Sequence, residues 1–406
     1  MHRKERVRVF PAHALEWVAK HLTLKELKKV MCVSEEVKRA IEGNPVIWMR
    51  YLQGEEVLRT PKYLERVKQE HLLSQRWRDK KEEYKGRVKH PLPVEITKLK
   101  MFGDILIVSS NSALISVFDI KLNLLARLSG HKGSIWAFDY RAGLLLTGST
   151  DRTAKVWDCF LGVCIRTLVG HTSTIRCVLW ADEYVITGSR DSTLRVWAVR
   201  TGQCLRVLSG HRDSIRDVKR VEGKPLVVSG SYDGSCILWN YETGAGLRYL
   251  LSMPRRLYSV LVFGSYVCLG GMDQVLNVVD LEGKVVFRSK GQTGTIFKIR
   301  KDRFNVYALT TDGSLSKWVE GTSSLAYLIE TATKAIDFVV LNHYLVIGLL
   351  DRVDLYCKET GKYARTICVV EQLYALWANE EMLFYSARSK GTTEIYTVHY
   401  VAKRST

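Results

Sequence analysis

Three histidines that could take part in acid–base chemistry or bind a metal form a regular series in this sequence. Each follows a glycine, and successive members are 40 residues apart: His131, His171 and His211. An aspartate lies 20 or 22 residues after each histidine, and a tryptophan lies six residues after each aspartate. Histidine and aspartate also occur together in catalytic and zinc sites. Because the whole set recurs in register, it predicts a repeated structural unit. We therefore expect these histidines to have no catalytic or metal-binding role.

The spacing of glycine–histidine, aspartate and tryptophan resembles that of WD repeats, in which each period forms one blade of a β-propeller. The resemblance implies a buried hydrogen-bond chain within each repeat. In the clearest repeat its members are His131, Thr147, Asp151 and Trp157. A buried imidazole and a buried indole N–H are tolerated only when both are hydrogen-bonded, so the members should recur together.

Five weaker copies of the same template flank the three clear ones, which predicts eight blades in all. Phe, Val or Tyr replaces the tryptophan in most weak copies, so we expect packing to hold those blades. No further strand follows the last copy before Thr406. A closed ring therefore needs a segment near Tyr84 to Pro91 to complete the last blade, which would remove the free sheet edges.

The front of the chain has a different composition, with no glycine before Gly43 and apolar residues at helical spacing. Thr23 and Glu26 form a capping box. The order of motifs over residues 10–56 resembles an F-box, and the alternative is an unspecialised three-helix cap. The F-box residues expected to bind an adaptor are Phe10, Pro11, Leu15, Leu22, Leu24, Leu27, Val30 and Trp48.

The expected fold is mainly β: an eight-bladed WD-repeat β-propeller over residues 87–402, preceded by a small α-helical F-box domain and a helical linker. A basic tail spans residues 1–9, the F-box domain 10–56 and the linker 57–86. Thr60 and Pro61 give the linker helix a start signal. Trp77 is its expected apolar anchor on the ring.

Together these parts resemble the F-box/WD-repeat proteins of the cell-division-control type. The motifs nearest to that family are Gly148–Thr153, His171–Cys177, Gly188–Trp197 and Ser386–Glu394. The resemblance implies the substrate-recognition subunit of an SCF-type E3 ubiquitin ligase. Its F-box would bind a Skp-type adaptor and, through it, cullin and RING subunits. Its propeller would bind phosphorylated protein substrates and direct their ubiquitin-dependent proteolysis.

Two positions in each repeat are expected on one face of the propeller. The fifth residue after the histidine is Trp136, Arg176 or Arg216, and Tyr258 in the next repeat. The residue before the turn aspartate is Thr150, Arg190, Tyr232 or Met272. Three arginines from neighbouring blades, with no acidic residue at equivalent positions, suit a phosphate dianion. The alternative is a set of ordinary exposed arginines in a basic chain.

The family resemblance assigns phosphodegron binding to Arg176, Arg190 and Arg216, with aromatic walls supplied by Trp136, Tyr232 and Tyr258. Thr150, Thr174 and Arg152 complete the candidate site, although Arg152 follows the turn aspartate and could point elsewhere. Family members often carry a further arginine in the last blade. The stretch Leu373–Leu376 contains no basic residue, so the sequence does not predict recognition of a second phosphate.

The formal net charge of +19 predicts attraction to anionic partners without identifying them. No lysine–arginine block has the pattern of a nucleic-acid motif, so we expect no nucleic-acid partner. The nine cysteines form no Cys-x-x-Cys pair, which indicates a reducing compartment and no metal site. Cys164 and Cys204, at equivalent positions, are expected to be buried.

No signal peptide or membrane-spanning run is present, so we expect an intracellular protein, nuclear or cytoplasmic with the nucleus favoured. Only nine residues precede Phe10, so we expect a monomeric receptor. No Gly-x-Ser-x-Gly motif or phosphate-binding loop occurs, and we expect neither an enzyme, a cofactor nor a small-molecule substrate. The rival interpretation is a non-catalytic WD-repeat scaffold in a stable protein or ribonucleoprotein assembly.

Overall fold

A computed structural model of the chain describes Trp77 and residues 84–89, 94–331 and 333–400. One compact unit spans Lys80–Val401 and contains every described strand. Trp77 is helical and fully buried. The expected tail and F-box domain, with all of its adaptor-binding residues, lie outside the described residues, as does most of the linker.

Eight four-stranded sheets make up the described part of this unit, and we call them blades 1 to 8. In each of blades 1 to 7 the four strands follow one another in sequence and pair in that order. Blades 1 to 4 contain β2 to β17: Ile96–Phe102, Ile105–Ser110, Ile115–Asp119, Leu124–Leu128; Ile135–Arg141, Leu144–Ser149, Thr153–Asp158, Val163–Val169; Ile175–Ala181, Tyr184–Ser189, Thr193–Ala198, Cys204–Ser209; Ile215–Val221, Leu226–Ser231, Ser235–Asn240, Gly246–Ser252.

Blades 5 to 7 continue the pattern with β18 to β29: Leu257–Phe263, Tyr266–Gly271, Asn277–Asp280, Val285–Arg288; Ile296–Lys301, Asn305–Thr310, Leu315–Val319, Leu325–Ile329; Ala335–Val340, Tyr344–Leu349, Arg352–Cys357, Tyr363–Val369. This is an eight-bladed β-propeller, as the count of repeats predicts. Among the described residues no helix is long and apolar enough to cross a membrane.

Blade 8 joins the two ends of the propeller. It combines β30 to β32 (Gln372–Ala378, Met382–Ser389, Thr392–His399) with β1 (Tyr84–Lys89) as its outermost strand. β1 pairs antiparallel with β32, from Tyr84 opposite His399 to Lys89 opposite Glu394. The prediction that a segment near Tyr84 completes the last blade is therefore confirmed.

Burial follows the position of each strand in its blade. The second strand is almost completely buried because it lies between its sheet neighbours and the two adjoining blades. Adjoining blades share their cores: Ile107 and Leu128 of blade 1 pack in one apolar cluster with Ile135, Leu145 and Trp157 of blade 2. The fourth strand is mostly exposed, as in β9.

The predicted hydrogen-bond chain is present in blades 2, 3 and 4. In blade 2, His131 Nδ1 lies 2.7 Å from Asp151 Oδ2, and Nε2 lies 2.7 Å from Thr147 Oγ1. The Trp157 indole N–H donates to the same hydroxyl oxygen at 2.9 Å. A carboxylate can only accept, so Nδ1 carries the proton and Nε2 accepts the hydroxyl hydrogen. These histidines are structural.

The chain of hydrogen bonds also fixes the two loops that form one face of each blade. Asp151 accepts from the Lys132 N–H at 2.8 Å and from the Thr153 N–H at 2.9 Å. It thereby ties the loop before the first strand to the turn between the second and third strands. Equivalent bonds connect Asp191 to Thr172 and Asp233 to Arg212. In blades 2 to 4 the aspartate of the chain therefore holds the loops at that face in place.

Blade 6 keeps the tryptophan of the repeat, so it does not test the expectation for copies that lost it, and its indole has a different partner. The Trp318 indole donates to the Thr322 carbonyl at 3.1 Å, not to a strand hydroxyl. Its ring stacks on Phe287 of blade 5, with centroids 5.6 Å apart. The expectation for two cysteines was wrong: Cys164 is exposed and Cys204 is only partly buried. Both lie in outermost strands, which have a sheet neighbour on one side only.

Candidate functional site

The first strand of each of blades 1 to 7, and β30 in blade 8, is the innermost strand of its blade. A bulge at the start of each innermost strand sets the direction of the candidate side chains. In blade 3 the pairing steps from Ile175–Ser189 to Cys177–Gly188, which leaves Arg176 as the extra residue. The same shift isolates Trp136, Arg216 and Tyr258 in the neighbouring blades. A bulge redirects one side chain out of the strand alternation. Four consecutive blades thus present their bulged residue at the same end of the strand.

The second predicted position lies beside the first. In blades 2 to 5, the residue before the turn aspartate donates its backbone N–H to a backbone carbonyl. The acceptor belongs to the residue two places before the bulged one, and the distance is 2.9 Å in every blade: Thr150 to Ser134, Arg190 to Thr174, Tyr232 to Ser214 and Met272 to Arg256. Both candidate positions therefore belong to one surface. We call this end of blades 2 to 5 the arginine face.

Three guanidinium groups on the arginine face influence one another. Arg176 and Arg216 are half-buried and Arg190 is exposed. Burial and then the charge of Arg216 lower the pKa of Arg176, with a further contribution from Arg190 and an opposing one from Tyr232. The arginines thus form a cluster of like charge.

No acidic side chain neutralises this cluster within the described part of the chain, where none of the three arginines forms an ion pair. The Arg216 Nε is buried and has no hydrogen-bond partner there. Guanidinium groups bind phosphate and carboxylate bidentately, so an incoming anion would supply the missing acceptor.

Aromatic rings flank the arginines on both sides. The guanidinium of Arg176 lies over the Trp136 ring, 4.8 Å from its centroid. On the other side, the Tyr232 and Tyr258 rings pack with centroids 5.2 Å apart. Trp136 retains 42% of its surface exposed, which is high for so large an apolar ring. Exposed aromatic rings beside arginines are typical of sites that bind a peptide.

The remaining predicted residues occupy the margin. Thr150 is exposed and Thr174 is half-buried. Arg152 is exposed and has a positive φ of 70°, because the residue after the turn aspartate takes a left-handed conformation. Gly234 occupies the same place in blade 4 with φ 83°. Arg152 is absent from the charges that lower the pKa of Arg176.

Two basic residues at equivalent places were missed in the sequence. Arg256 lies over the Tyr232 ring at 5.2 Å and is equivalent to Thr174 of blade 3. The alignment that identifies Tyr258 also places Arg256 opposite Thr174, but that position was considered only in blade 3. Arg388 takes the place of Arg190 in blade 8, since Leu373 pairs with Ala387 as Ile175 pairs with Ser189.

Metal binding has no support in the described part of the chain, where no group of three or more His, Cys, Asp or Glu side chains could hold an ion. Burial raises the pKa of the Cys177, Cys159 and Cys268 thiols to about 12. These thiols are therefore protonated at neutral pH and unsuited to nucleophilic or metal chemistry.

Comparison with known families matches three segments of the chain, residues 122–158, 162–198 and 202–240, to the model of the WD domain, G-beta repeat. The chain carries WD40 repeats. The matched segments include Trp136 and the three arginines Arg176, Arg190 and Arg216, whereas Tyr258 lies beyond them. The eight blades of the fold together form a WD40 propeller.

Two curated fungal proteins are similar to this chain. WD repeat-containing protein pop1 of Schizosaccharomyces pombe is 35% identical over 190 residues, which cover 42% of this chain and 24% of that protein. Cell division control protein 4 of Saccharomyces cerevisiae is 28% identical over 336 residues, which cover 69% of this chain and 43% of that protein. The chain thus spans less than half the length of these relatives.

Among solved structures, the fold is similar to that of the computationally designed Ika8 protein. The TM-score is 0.68 at 24% identity, and the match covers 76% of this chain and 97% of the designed one. At this identity the likeness supports the propeller fold and carries no information on function.

Proposed function

We propose that the arginine face binds a phosphorylated peptide segment, and that the chain is the substrate-recognition subunit of an SCF-type ubiquitin ligase. The observation that carries the proposal is the group of three neighbouring arginines, none of which has an acidic partner among the residues that the structure describes. A phosphate dianion would neutralise part of this repulsion and accept several charge-assisted hydrogen bonds.

The surroundings of the arginines favour a peptide over a free anion. Trp136 on one side and the Tyr232–Tyr258 pair on the other offer apolar surface for residues beside the phosphate. Aromatic and arginine anchors contribute much of the energy in such interfaces. WD40 propellers are generally non-catalytic, which suits a receptor whose chemistry is performed by a bound ligase.

The ligase part of the proposal rests on similarity to cell division control protein 4 and on the F-box pattern of residues 10–56. In this proposal the F-box binds a Skp-type adaptor, which joins the chain to cullin and RING subunits. The propeller then holds the phosphorylated substrate for ubiquitin transfer. The proposed compartment is the nucleus.

Fluorescence anisotropy with a labelled Leu-phosphoThr-Pro peptide and its unphosphorylated twin tests the binding site. Arg190→Ala should weaken phosphopeptide binding about ten- to a hundredfold, because a charge-assisted bond contributes about 1.5–3 kcal/mol. Arg200→Ala is the matched control. Arg200 is exposed and follows the last residue of β12, whereas Asp191 and the arginine face lie at the other end of that strand. Equal binding of both peptides by the unmodified chain would contradict the proposal.

Affinity purification from cells tests the ligase role separately. Skp-type adaptor and cullin should co-purify with the full chain and be lost from a Phe10→Ala, Leu27→Ala double variant. Phosphopeptide binding by that variant should be unchanged. A chain that binds the phosphopeptide but retains no adaptor in either form would favour the scaffold interpretation.

A further inference from the structure

The centre of the propeller contains a cavity of about 550 Å³ with an excess of positive charge, and we call this cavity the central channel. Innermost strands of six blades line it. Six basic side chains and two acidic ones face it: Lys98, Lys100, Lys219, Lys298, Arg300 and Lys301 against Asp217 and Asp337. A cavity of this size is in the range that holds small ligands.

Both carboxylates of the cavity already have full sets of partners. Asp337 accepts from Lys298 at 2.6 Å, from Arg300 at 3.0 Å and from the Phe338 N–H at 2.7 Å. Asp217 accepts from Lys219 at 2.7 Å and from the N–H groups of Val218 and Val260. They are therefore committed to holding neighbouring strands and blades together.

Neither Lys98 nor Lys100 forms an ion pair in the described part of the chain, although Asp139 is near enough for its charge to act on both. The Lys98 ammonium donates to the Phe138 carbonyl at 3.0 Å and lies 4.8 Å from the centroid of that residue's ring. The Lys100 ammonium lies 4.5 Å from the Phe102 ring centroid. A carbonyl and two ring faces compensate a charge only weakly compared with a carboxylate.

Keeping these ammonium groups in the channel is unfavourable for the protein alone. Burial, followed by the charges of Lys100 and Lys219, lowers the pKa of Lys98 to about 7. Asp139 acts in the opposite direction, and Lys298 adds to the repulsion. Residues that destabilise a fold without compensation are expected chiefly at functional sites.

We propose that the central channel is a binding site for a small oligophosphate anion, held by Lys98 and Lys100 together with the cations across the channel. Ammonium groups are compact point charges that bind phosphate oxygens from several directions. The anion would neutralise the surplus that the two carboxylates leave. None of the three arginines of the arginine face lines this cavity, although the charge of Arg216 reaches Lys298. The proposal does not depend on peptide binding at the arginine face.

Isothermal titration of inorganic triphosphate into the full chain tests the proposal. We expect saturable binding at one site, weakened about tenfold or more by Lys98→Met and, independently, by Lys100→Met. Neither substitution leaves an acidic group unpaired, so both variants should melt no lower than the unmodified chain. Lys284→Met is the matched control, since Lys284 is exposed in the turn between β20 and β21.

Two further measurements separate the channel from the arginine face. Arg190→Ala should bind triphosphate normally. At pH 8 the binding heat should depend more strongly on the buffer's ionisation enthalpy in the unmodified chain than in Lys98→Met, because a bound anion raises the pKa of Lys98 and a proton is taken up there. The proposal is overturned if the unmodified chain shows no saturable binding, or if Lys284→Met weakens binding as much as Lys98→Met. It is also overturned if Arg190→Ala abolishes binding that Lys98→Met retains.

Discussion

The guanidinium of Arg176 stacks on the ring of Trp136, 4.8 Å from its centroid, and the two residues come from adjoining blades. Each is the extra residue of a bulge in the innermost strand of its blade. The stacking fixes a long side chain before any ligand arrives. Less rotamer entropy is then lost when the arginine binds an anion.

Replacing Trp136 by alanine should therefore weaken phosphopeptide binding about two- to thirtyfold, since a cation–π contact contributes about 0.5–2 kcal/mol. Trp136→Phe should retain most of the affinity, because a phenyl ring still offers a face to Arg176. Fluorescence anisotropy with the phosphopeptide measures both variants. Full affinity in Trp136→Ala, alongside a loss in Arg176→Ala, would show that the stacking contributes nothing.

Arg256 should extend the site on the side of Tyr232. Replacing it by alanine should weaken phosphopeptide binding about three- to tenfold, because an exposed cation that lies over the Tyr232 ring is removed. Arg255→Ala provides a neighbouring control with the same change of charge. Equal losses in the two variants would point to a general electrostatic effect and exclude a specific contact by Arg256.

The hydrogen-bond chain of blade 3 should be a main source of its stability. Thr187→Val removes the oxygen that accepts from the Trp197 indole and that lies 2.7 Å from His171 Nε2. Two buried polar groups are then unpaired, at about 1–3 kcal/mol each. We expect a fall of about 2–6 kcal/mol in the free energy of unfolding, measured with urea. Thr172→Val, at an exposed position, should change it by less than about 0.5 kcal/mol.

The same chain predicts that stability falls with decreasing pH. Burial lowers the pKa of His131, so its contribution is complete above about pH 6.5 and is lost as the pH falls through the lowered value. Hydrogen bonds from Thr153, the Lys132 N–H and His131 outweigh burial and lower the pKa of Asp151 to about 2. Its contribution is present above about pH 4 and is lost towards pH 2. Urea midpoints should decrease between pH 7 and pH 3, and an increase would contradict the assignment.

Closure of the ring by β1 should dominate the stability of blade 8. A variant that begins at residue 96 lacks β1 and exposes the edge of β32, whereas a variant that begins at residue 61 retains β1. The first should melt several degrees lower than the second, as measured by differential scanning calorimetry. Equal melting temperatures would mean that the ladder from Tyr84 to Lys89 contributes little.

Much of the fold could be predicted because the residue spacing within each repeat shows where its strands and turns fall. The aspartate and tryptophan spacings after His131, His171 and His211 located three blades and their buried bonds. Eight copies of the repeat require eight complete blades, but no strand remains after the last copy to finish its blade. This shortfall identified the closing segment near Tyr84. Local spacing was sufficient because each blade is one short unit with its own turns.

The residues that were missed, such as the cations of the channel and Arg256, depend on three-dimensional contacts that residue spacing along the sequence does not show. A bulge adds one residue to every innermost strand, so the alternation of inward and outward side chains shifts within the strand. The cations of the channel come from several blades that are far apart in sequence, as Lys98 and Lys298 show. Arg256 lies only two residues before the predicted Tyr258, and it was missed because the sequence does not show that its side chain reaches the Tyr232 ring.

The ladder between β1 and β32 has a mechanical consequence. Because Tyr84 lies opposite His399, the chain enters and leaves the propeller at the same end of one antiparallel ladder. Tension applied between residues before Tyr84 and residues after His399 would act on a single pair at a time and would open blade 8 like a zipper. Opposite exit points would instead load all six pairs in shear. The seam of the ring should therefore open under a small force applied across the two ends, because its residue pairs separate one after another.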